Sequence, residues 1–490
     1  MREVAMPLPG SLSSVKGYLS FNPYLLLKKV IMKTRLRNKI LAAGFLIFLL
    51  SPPALNAQLD QVFKNVFNGI LGENGALALV PINSPNVPDS ITHRDHFRPA
   101  ANAANDALVP ALNNLVANNV SSFPLSSTSV GLSFDWSTGE PISITESLGP
   151  IFAERGRTLG KGKVNFGMNY SHLKLSKFRG IRTEDIKFTF THQDIGPPGL
   201  GGISTESDVM DIFLDLHVNS NIFAFYATVG LAENLDFSIA LPVVNINLNG
   251  NARAVIYSFT HAHDGAADHH FGNVGEEIDN PKLEYVQDYD GSAFGIGDLA
   301  LRLKYAPFQG GGVDLAVLLD ARLHSGKEED FLGTGKANIR LLGIASKKFG
   351  DFTPHINAGY DYRRADFDSD ELEFAVGFDH KITRGFTFAM DVLGEVDLNK
   401  NEILSFQYSK EEFVITDHVE TETGEMGTLI RTIDQTNIPV RPDDNVYNAA
   451  IGLRYAPVEN MILLGNILLP LNDGGLRSDV AYTVGFAVSL

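Results

Sequence analysis

The sequence predicts an all-β fold: an antiparallel transmembrane β-barrel of about 12 strands, within a range of roughly 12–14, preceded by an N-terminal segment of helices and a hairpin. Three observations predict it. The chain ends in a strand with one unbroken apolar face, similar alternating segments recur from residue 163 onward, and short connections alternate with long ones. A strand that separates lipid from a lumen needs one apolar face and one polar or small face.

The last segment, 478–489, shows this alternation most clearly. One face carries large apolar side chains: Val480, Tyr482, Val484, Phe486, Val488 and the terminal Leu490. The other face carries small or polar ones: Ala481, Thr483, Gly485, Ala487 and Ser489. This pattern is typical of the strand that closes an outer-membrane barrel.

Twelve segments alternate in this way. They span residues 163–176, 209–230, 235–247, 296–307, 312–324, 336–349, 352–364, 370–382, 386–398, 445–456, 460–469 and 478–489. Short turns between them alternate with longer connections at about 177–208, 248–295, 325–335, 365–369, 399–444 and 470–477. Because outer-membrane barrels have short periplasmic turns and long extracellular loops, an even strand count with both chain ends in the periplasm follows.

The faces of individual strands separate apolar from charged residues. In the strand from Ile296, Leu301 and Leu303 lie on one face, while Arg302 and Lys304 lie on the other. A soluble β-sandwich would reverse this arrangement, with its polar faces outside. The main charges predicted to face the lumen are Asp298, Arg302, Lys304, Asp320, Arg322, His324, Arg340, His355, Asp361 and Arg363; Asp379, Asp391, Glu395 and Arg454 share the pattern. Two interpretations stay open: a constriction that selects solutes, or a structural ladder of ion pairs.

Residues 1–57 form an N-terminal extension and a secretory signal. Basic residues from Lys33 to Lys39 precede an apolar run over 40–50, and Ser-Pro-Pro and a segment ending in Ala57 follow. This order predicts cleavage after Ala57. Met32 is an alternative start, and a core helix or membrane anchor is the competing interpretation. After residue 57, no run of 18 apolar residues occurs that would predict a membrane-spanning helix.

Residues 58–150 differ in pattern from the barrel, which is expected over 151–490. Two stretches have helical spacing: Leu59, Val62, Phe63, Val66, Phe67, Ile70 and Leu71 in the first, and Leu108, Leu112, Leu115 and Val116 in the second. A β-hairpin is expected over 127–146, as an extra barrel pair or as part of a plug. The whole segment is either a lumen plug or a periplasmic piece.

Composition excludes several classes of site and partner. The chain has no Cys, so a disulfide framework, a lipoprotein anchor and cysteine nucleophiles are excluded. Its formal charge is −17, and removing residues 1–57, which hold eight Lys or Arg and one acid, lowers it to −24. A chain this acidic is a poor partner for nucleic acid. We expect its partners to be outer-membrane lipid, lipopolysaccharide and, through the last strand, the barrel-assembly machinery.

Catalytic and metal sites receive little support from the sequence. No cofactor and no enzymatic activity are expected, because neither a nucleophile-elbow motif nor a spacing that specifies a catalytic triad occurs. The densest cluster of possible metal ligands is His261, His263, His269 and His270, with two aspartates between them. Its spacing fits no closed four-ligand site, so a solvated loop is the competing interpretation. Acidic loops around 328–330 and 366–371 could bind divalent cations or supply solubilising charge.

Three stretches carry a resemblance to a known family. They are Gly295-Ile-Gly-Asp-Leu-Ala-Leu-Arg-Leu-Lys-Tyr305, then Gly333-Thr-Gly335 ahead of Ser346-Lys-Lys-Phe-Gly350, and Pro354-His-Ile-Asn-Ala-Gly-Tyr360. They resemble the outer-membrane barrel family of porin-like channels described as transporters of the meta-pathway of phenol degradation. The resemblance covers roughly residues 150–490. It implies a passive channel for small, often aromatic or apolar, compounds.

The aromatic residues of the N-terminal segment are the expected capture site for such solutes: Phe63, Phe67, Phe134 and Trp136. Passage would then follow the lumen or a lateral opening. The alternative is a structural or adhesion barrel that acts through its acidic surface loops while its lumen stays shut.

Overall fold

In the computed structural model, the described residues are 58–71, 75–77, 106, 108–121, 134–135, 140–141, 148–191, 209–257, 270–272, 282–364, 369–399, 410–420, 426–458 and 461–488. The predicted signal segment 1–57 lies outside them. No helix among them is long and apolar enough to cross a membrane.

The described elements are two α-helices, two 3-10 turns and nineteen strands. The helices are α1 (Asp60–Leu71) and α2 (Val109–Ser121), and the 3-10 turns cover Thr183–Asp185 and Glu328–Asp330. The strands are β1 (Phe134–Asp135), β2 (Glu140–Pro141), β3 (Lys163–Phe178), β4 (Ile181–Arg182), β5 (Ile186–Thr191), β6 (Val209–Ala232), β7 (Leu235–Tyr257), β8 (Glu284–Ile296), β9 (Leu299–Gly310), β10 (Val313–Leu323), β11 (Asn338–Lys347), β12 (Phe352–Tyr362), β13 (Glu371–Thr383), β14 (Phe386–Asp397), β15 (Lys410–Glu420), β16 (Met426–Asp434), β17 (Val446–Val458), β18 (Met461–Pro470) and β19 (Leu476–Val488).

The main sheet closes on itself, because the last strand, β19, pairs antiparallel with β3. β8 and β9 act as one strand that is interrupted at Gly297 and Asp298: β8 pairs with the upper part of β7, and β9 pairs with its lower part. Counted in this way, the described residues form a closed barrel of 12 antiparallel strands, which confirms the predicted fold class.

Tight turns and long connections lie at opposite ends of the barrel. The turn between β9 and β10 places Gly311 and Gly312 at φ +61° and +80°, a pair of left-handed conformations that side chains tolerate poorly. Two such residues in succession give the type I′ turn that suits a two-residue hairpin. By this geometry the short turns are the periplasmic end and the long connections are the extracellular end.

Exposure along the strands is the reverse of that in a soluble protein. Leu319, Val376 and Val484 expose 42%, 46% and 56% of their surface, while the neighbouring charges Asp320 and Asp379 expose 1% or less. Large apolar side chains directed outward around a closed ring need lipid as their surroundings. The chain is therefore a multi-pass β-barrel of the Gram-negative outer membrane.

The outward polarity changes abruptly along β6, β7 and β8. Tyr170, Phe223, Val243 and Ile296 lie side by side on four neighbouring strands, and we call them the boundary row. On β7, apolar side chains face outward below this row, and asparagines face outward above it. The lumen face changes in the opposite sense, from Asp236 and Ser238 below to apolar side chains above; these are Val244, Ile246 and Leu248.

The barrel wall therefore continues above the bilayer as an ordinary water-facing sheet with an apolar inner side. We call this part the extension: residues 209–221 of β6, 245–257 of β7 and 284–292 of β8. The prediction of a single loop over 248–295 was wrong, because β7 reaches Tyr257 and β8 begins at Glu284. The lipid-facing pattern stops at the boundary row although the strands do not.

Other connections also contain strands that the sequence did not indicate. β5 lies within the predicted loop 177–208 and pairs with β6. β15 and β16 form a separate hairpin within the predicted loop 399–444. In the predicted hairpin over 127–146, β1 pairs with β2 and also with Lys163 and Val164 of β3, below the last residue at which β19 pairs with β3.

A charge placed on each side of the boundary row tests its position. Ile239 and Asn249 both face outward from β7, below and above the row. We expect Ile239→Lys to lower the free energy of unfolding by about 2–4 kcal/mol, because the ammonium group would lie in hydrocarbon. We expect Asn249→Lys to change it by less than about 0.5 kcal/mol. Urea titration in lipid vesicles measures both values, and equal effects would contradict the assigned boundary.

Candidate functional site: the occupied lumen

Two helices fill the extracellular half of the lumen. The apolar spacing of α1 directs Phe63, Phe67 and Ile70 to one side, where each is 0% exposed. The Phe63 ring lies 6.2 Å from the Tyr289 ring, and the Phe67 ring lies 6.2 Å from that of Phe190. Lumen-facing residues of the extension complete this apolar chamber: Ile212, Leu214, Leu216, Val218, Ile246 and Leu248.

Polar contacts hold α2 at the edge of this chamber. The Asn113 side chain donates to the backbone oxygen of Asp60 at 3.0 Å and so links the two helices. Arg322 donates from Nη1 to the backbone oxygen of Ser121, the last residue of α2, at 2.6 Å. A cation at a helix C-terminus is favourable, because the unpaired carbonyl groups there carry partial negative charge.

An extended segment, residues 148–162, crosses the periplasmic half of the lumen, and we call it the strap. Asp391 on β14 holds its first part: Oδ2 accepts hydrogen bonds from the backbone N–H groups of Ile151, Phe152 and Ala153 at 3.2, 3.0 and 3.2 Å. Arg454 on β17 donates to the backbone oxygen of Leu148 at 3.0 Å and to that of Pro150. Both charged side chains are 0% exposed, so their contacts with the strap take place away from water.

The rest of the strap is fixed first to β12, two strands from β14, and then to β6 and β7 across the barrel. The Asn357 side chain accepts from the Glu154 N–H at 2.6 Å and donates to the Glu154 carbonyl at 2.8 Å. Asp236 accepts from the Leu159 N–H at 2.8 Å. At the periplasmic end, Gly162 donates to the carbonyl of Gly230 at 2.8 Å. The strap is therefore anchored to several strands by polar contacts along its whole length.

A network of alternating charges surrounds the middle of the strap. Glu154 lies 3.0 Å from Nζ of Lys304 and 3.9 Å from Nη1 of Arg302. Asp320 lies between Arg302 and Arg340, at 3.1 and 2.7 Å, and Arg340 also contacts Glu373 at 2.7 Å. The Arg302–Asp320 and Asp320–Arg340 pairs join neighbouring strands, as in a structural ladder. The Glu154 pairs join the strap to β9, and Arg340–Glu373 joins β11 to β13.

The space left inside this network is small. A cavity of about 70 Å³ remains, and its lining includes Phe152, Glu154, Arg302, Arg340 and Glu395. A protein cavity that binds benzene measures roughly 150 Å³, about twice this volume. Within the described residues the lumen is therefore closed to aromatic solutes at this height.

A second buried cluster lies under the first part of the strap. His355 Nε2 lies 2.7 Å from Asp391 Oδ1, and its Nδ1 lies 3.7 Å from Asp379 Oδ1. Arg155 of the strap contacts Asp379 through Nε at 3.2 Å and through Nη2. The two carboxylates thus face a histidine and an arginine. Asp391 and Asp379 contact strap residues directly, and His355 lies beside both carboxylates.

The structure places most of the sequence-predicted lumen charges together. Nine of them are buried: Asp298, Arg302, Lys304, Asp320, His355, Asp361, Asp379, Asp391 and Arg454. Arg322, Arg340 and Arg363 are partly buried, but His324 lies past the end of β10 and is exposed, because the strand stops at Leu323. Asp298 interacts with a loop, accepting from the N–H groups of Gly326 and Thr334 at 3.0 Å each.

Of the predicted capture residues and histidines, some lie within the described residues and some lie outside them. Phe63 and Phe67 line the upper chamber, β1 contains Phe134, and Trp136 lies outside the described residues. His261, His263 and His269 also lie outside them, while His270 is buried, with Nδ1 3.1 Å from the backbone oxygen of Phe271. Within the part of the chain that the structure describes, no group of three or more His, Asp or Glu could hold a metal ion.

The strap could not be recognised in the sequence. Its residues show no periodicity, and their partners lie far away in the chain: the Phe152–Asp391 contact spans 239 positions and the Arg454–Leu148 contact spans 306. The one local indication is its glycines, including Gly149 at φ +103° and Gly160 at φ +91°.

Gly156 provides a test of how tightly the strap is seated. A Cβ atom there would lie 2.3 Å from the backbone oxygen of Asp314, which cannot move without distorting β10. We therefore expect Gly156→Ala to lower the free energy of unfolding by about 1–3 kcal/mol and to displace the strap. Gly465→Ala is the matched control, since its added Cβ would meet nothing within 4 Å. Urea unfolding in lipid vesicles measures the free energy of unfolding of both variants. Equal values would contradict a tightly seated strap.

No protein-family model and no curated protein matches this chain. Among solved structures, it is similar to an outer-membrane channel of Pseudomonas putida F1, at 10% identity over 68% of this chain and 97% of that one, with a TM-score of 0.36. It is also similar to the toluene transporter TbuX of Ralstonia pickettii, at 11% identity over 68% and 90%, with a TM-score of 0.24. A FadL homologue of Pseudomonas aeruginosa gives 9% identity over 66% and 88%, with a TM-score of 0.26. The assignment to the outer membrane rests on the strand pairings and exposures described above.

Proposed function

We propose that this chain is an outer-membrane channel for the passive uptake of small apolar or aromatic compounds. The observation that carries the proposal is the apolar chamber in the extracellular half of the lumen. The side chains that line it are mainly apolar and aromatic, as in sites that bind apolar ligands. The motifs that resemble the meta-pathway family of phenol degradation support the same class of solute.

Apolar selectivity has a physical reason in this chamber. A hydrophilic solute that enters an apolar space loses hydrogen bonds to water without replacement, at a cost of about 1–3 kcal/mol for each polar group. An aromatic solute gains burial instead, at roughly 25 cal/mol per Å² of apolar surface. We propose that α1, through Phe63 and Phe67, forms the capture site.

Transport beyond the chamber requires a conformational change. The charge network and the strap close the lumen of the described residues at mid-height, so a captured solute must displace the strap or leave through the wall. The charged side chains that select solutes would then be those that the strap uncovers when it moves, chiefly Arg302, Lys304 and Asp391. We propose these as selectivity residues of the open state.

Uptake into lipid vesicles tests the proposal. The chain from residue 58 onward is reconstituted, and uptake of a small aromatic acid, a monosaccharide and a fatty acid is compared with protein-free vesicles. We expect the aromatic or apolar solute to enter faster than the monosaccharide. No flux of any solute, from protein shown to be folded by its heat-dependent gel mobility, would contradict the channel.

A structural or adhesion barrel is the second proposal, and the filled lumen favours it. Its contacts would come from acidic surface residues such as Glu328 and Glu329, which are exposed. Deleting the extracellular loops separates the two proposals, because a channel keeps its solute flux without them and an adhesin loses surface binding.

A further inference from the structure

The outward face of the extension carries an unusual concentration of side-chain amides. Six asparagines form what we call the amide face: Asn219, Asn221, Asn245, Asn247, Asn249 and Asn251. Asn221 is directly opposite Asn245, and Asn219 is opposite Asn247. The four amides of β7 follow one another at every second residue, so they extend over about 20 Å along one side of the sheet.

The amides form a partly connected surface. Asn247 donates from Nδ2 to Oδ1 of Asn245 at 2.9 Å, and Asn251 donates to Asp215 at 3.2 Å. Asn249, between them, is exposed. Each amide has two donors and two acceptor sites, so these contacts leave hydrogen-bonding capacity directed outward.

The chemistry of the surroundings favours hydroxyl groups over phosphate. On β8, Asp290 is opposite Asn249 and Asp288 is opposite Asn251, and both carboxylates are exposed. A carboxylate repels an anionic ligand but accepts hydrogen bonds from hydroxyls, and an amide both donates to and accepts from them. Tyr257, 40% exposed at the upper end of β7, offers an apolar ring on which a sugar could stack.

The position of the amide face indicates the source of those hydroxyls. Asn245 lies two residues above Val243 of the boundary row, a rise of about 7 Å. The face therefore continues the lipid-facing surface directly into the layer above the outer leaflet. In the outer membrane that layer consists of the sugars of lipopolysaccharide.

We propose that the amide face binds the core oligosaccharide of lipopolysaccharide through its sugar hydroxyls. The site is independent of the lumen and of whether the barrel transports anything. It would fix the height of the extension and hold the mouth of the barrel within the sugar layer.

The test uses the purified full-length mature chain in detergent and a soluble probe. The probe is core oligosaccharide released from lipid A and treated to remove its phosphates, and isothermal titration calorimetry measures binding. We expect saturable binding by the wild type and a loss of affinity of about tenfold or more in the double variant Asn247→Ala with Asn249→Ala. Asn234→Ala, an amide of the same hairpin at its periplasmic turn, should bind like the wild type.

Four results would overturn the proposal. The first is absence of binding by the wild type, and the second is equal binding by wild type and double variant. The third is binding that needs the phosphates. The fourth is a concentration-dependent dimer that the double variant abolishes without any sugar binding. Heat-dependent gel mobility checks folding, and Asn249→Ala alone, at an exposed position, gives the same test if the double variant does not fold.

Discussion

The variant Asp391→Ala is expected to open the lumen. Asp391 accepts three backbone N–H groups of the strap through a single carboxylate oxygen and also contacts His355. Hydrogen bonds to a charged group contribute about 1.5–3 kcal/mol each, so the first part of the strap loses several kcal/mol of attachment. Arg454 continues to bind two strap carbonyls but cannot replace these contacts, since it donates and the strap N–H groups need an acceptor.

Conductance in planar lipid bilayers measures this opening. We expect the ion conductance of Asp391→Ala to exceed that of the wild type by about tenfold or more, because losing several kcal/mol of attachment shifts the equilibrium toward a detached strap by well over tenfold. Asp473→Ala, at an acid in the extracellular connection between β18 and β19, is the control and should conduct like the wild type. If Asp391→Ala remained as closed as the wild type while folded, the strap would not be what closes the lumen.

The double variant Phe63→Ala with Phe67→Ala is expected to detach α1 from the upper chamber. Both rings are fully buried, and removal of a buried phenyl group costs about 3–5 kcal/mol. The lost packing free energy destabilises mainly α1, because the hydrogen bonds between the barrel strands do not depend on these two rings. Local opening of α1 should therefore become at least about 100-fold more frequent.

Limited proteolysis reports this local opening. The rate of cleavage within 60–71 should rise by a similar factor, while the barrel remains intact on a gel. Phe486→Ala removes a phenyl group of the same size from the lipid-facing side of β19 and should leave the cleavage rate unchanged. Equal cleavage of wild type and double variant would show that α1 does not depend on these aromatic contacts.

The membrane-spanning part of the fold could be predicted from the sequence because the pattern that reveals it lies within each single strand. Lipid outside and polar groups inside impose a period of two on each strand, and β19 shows this period in Tyr482, Val484 and Phe486 without reference to any partner. The apolar spacing of α1 is similarly local, and the helix forms over the residues that the spacing indicates.

The extension and the strap could not be predicted because their surroundings are set by tertiary structure. On β7, Asn245 and Asn247 face water and Ile246 faces the chamber, which is the reverse of the lipid-facing pattern two residues earlier. The strap depends on Asp391 and Arg454, which a distant part of the chain supplies. The alternation in the sequence indicated that both are charged residues facing the lumen. It could not show that they bind backbone groups of the strap instead of solute.

Methyl NMR on the isoleucines tests the central claim, that apolar solutes enter the chamber above the strap, most directly. Ile212 and Ile246 line the chamber, whereas Ile239 and Ile339 face lipid. With a small monoaromatic hydrocarbon added to the folded protein, we expect saturable shifts at Ile212 and Ile246 and only linear, unsaturated shifts at Ile239 and Ile339. Shifts confined to the lipid-facing methyl groups would mean that the solute dissolves in the detergent or lipid and never occupies the chamber, which would contradict the proposed capture site.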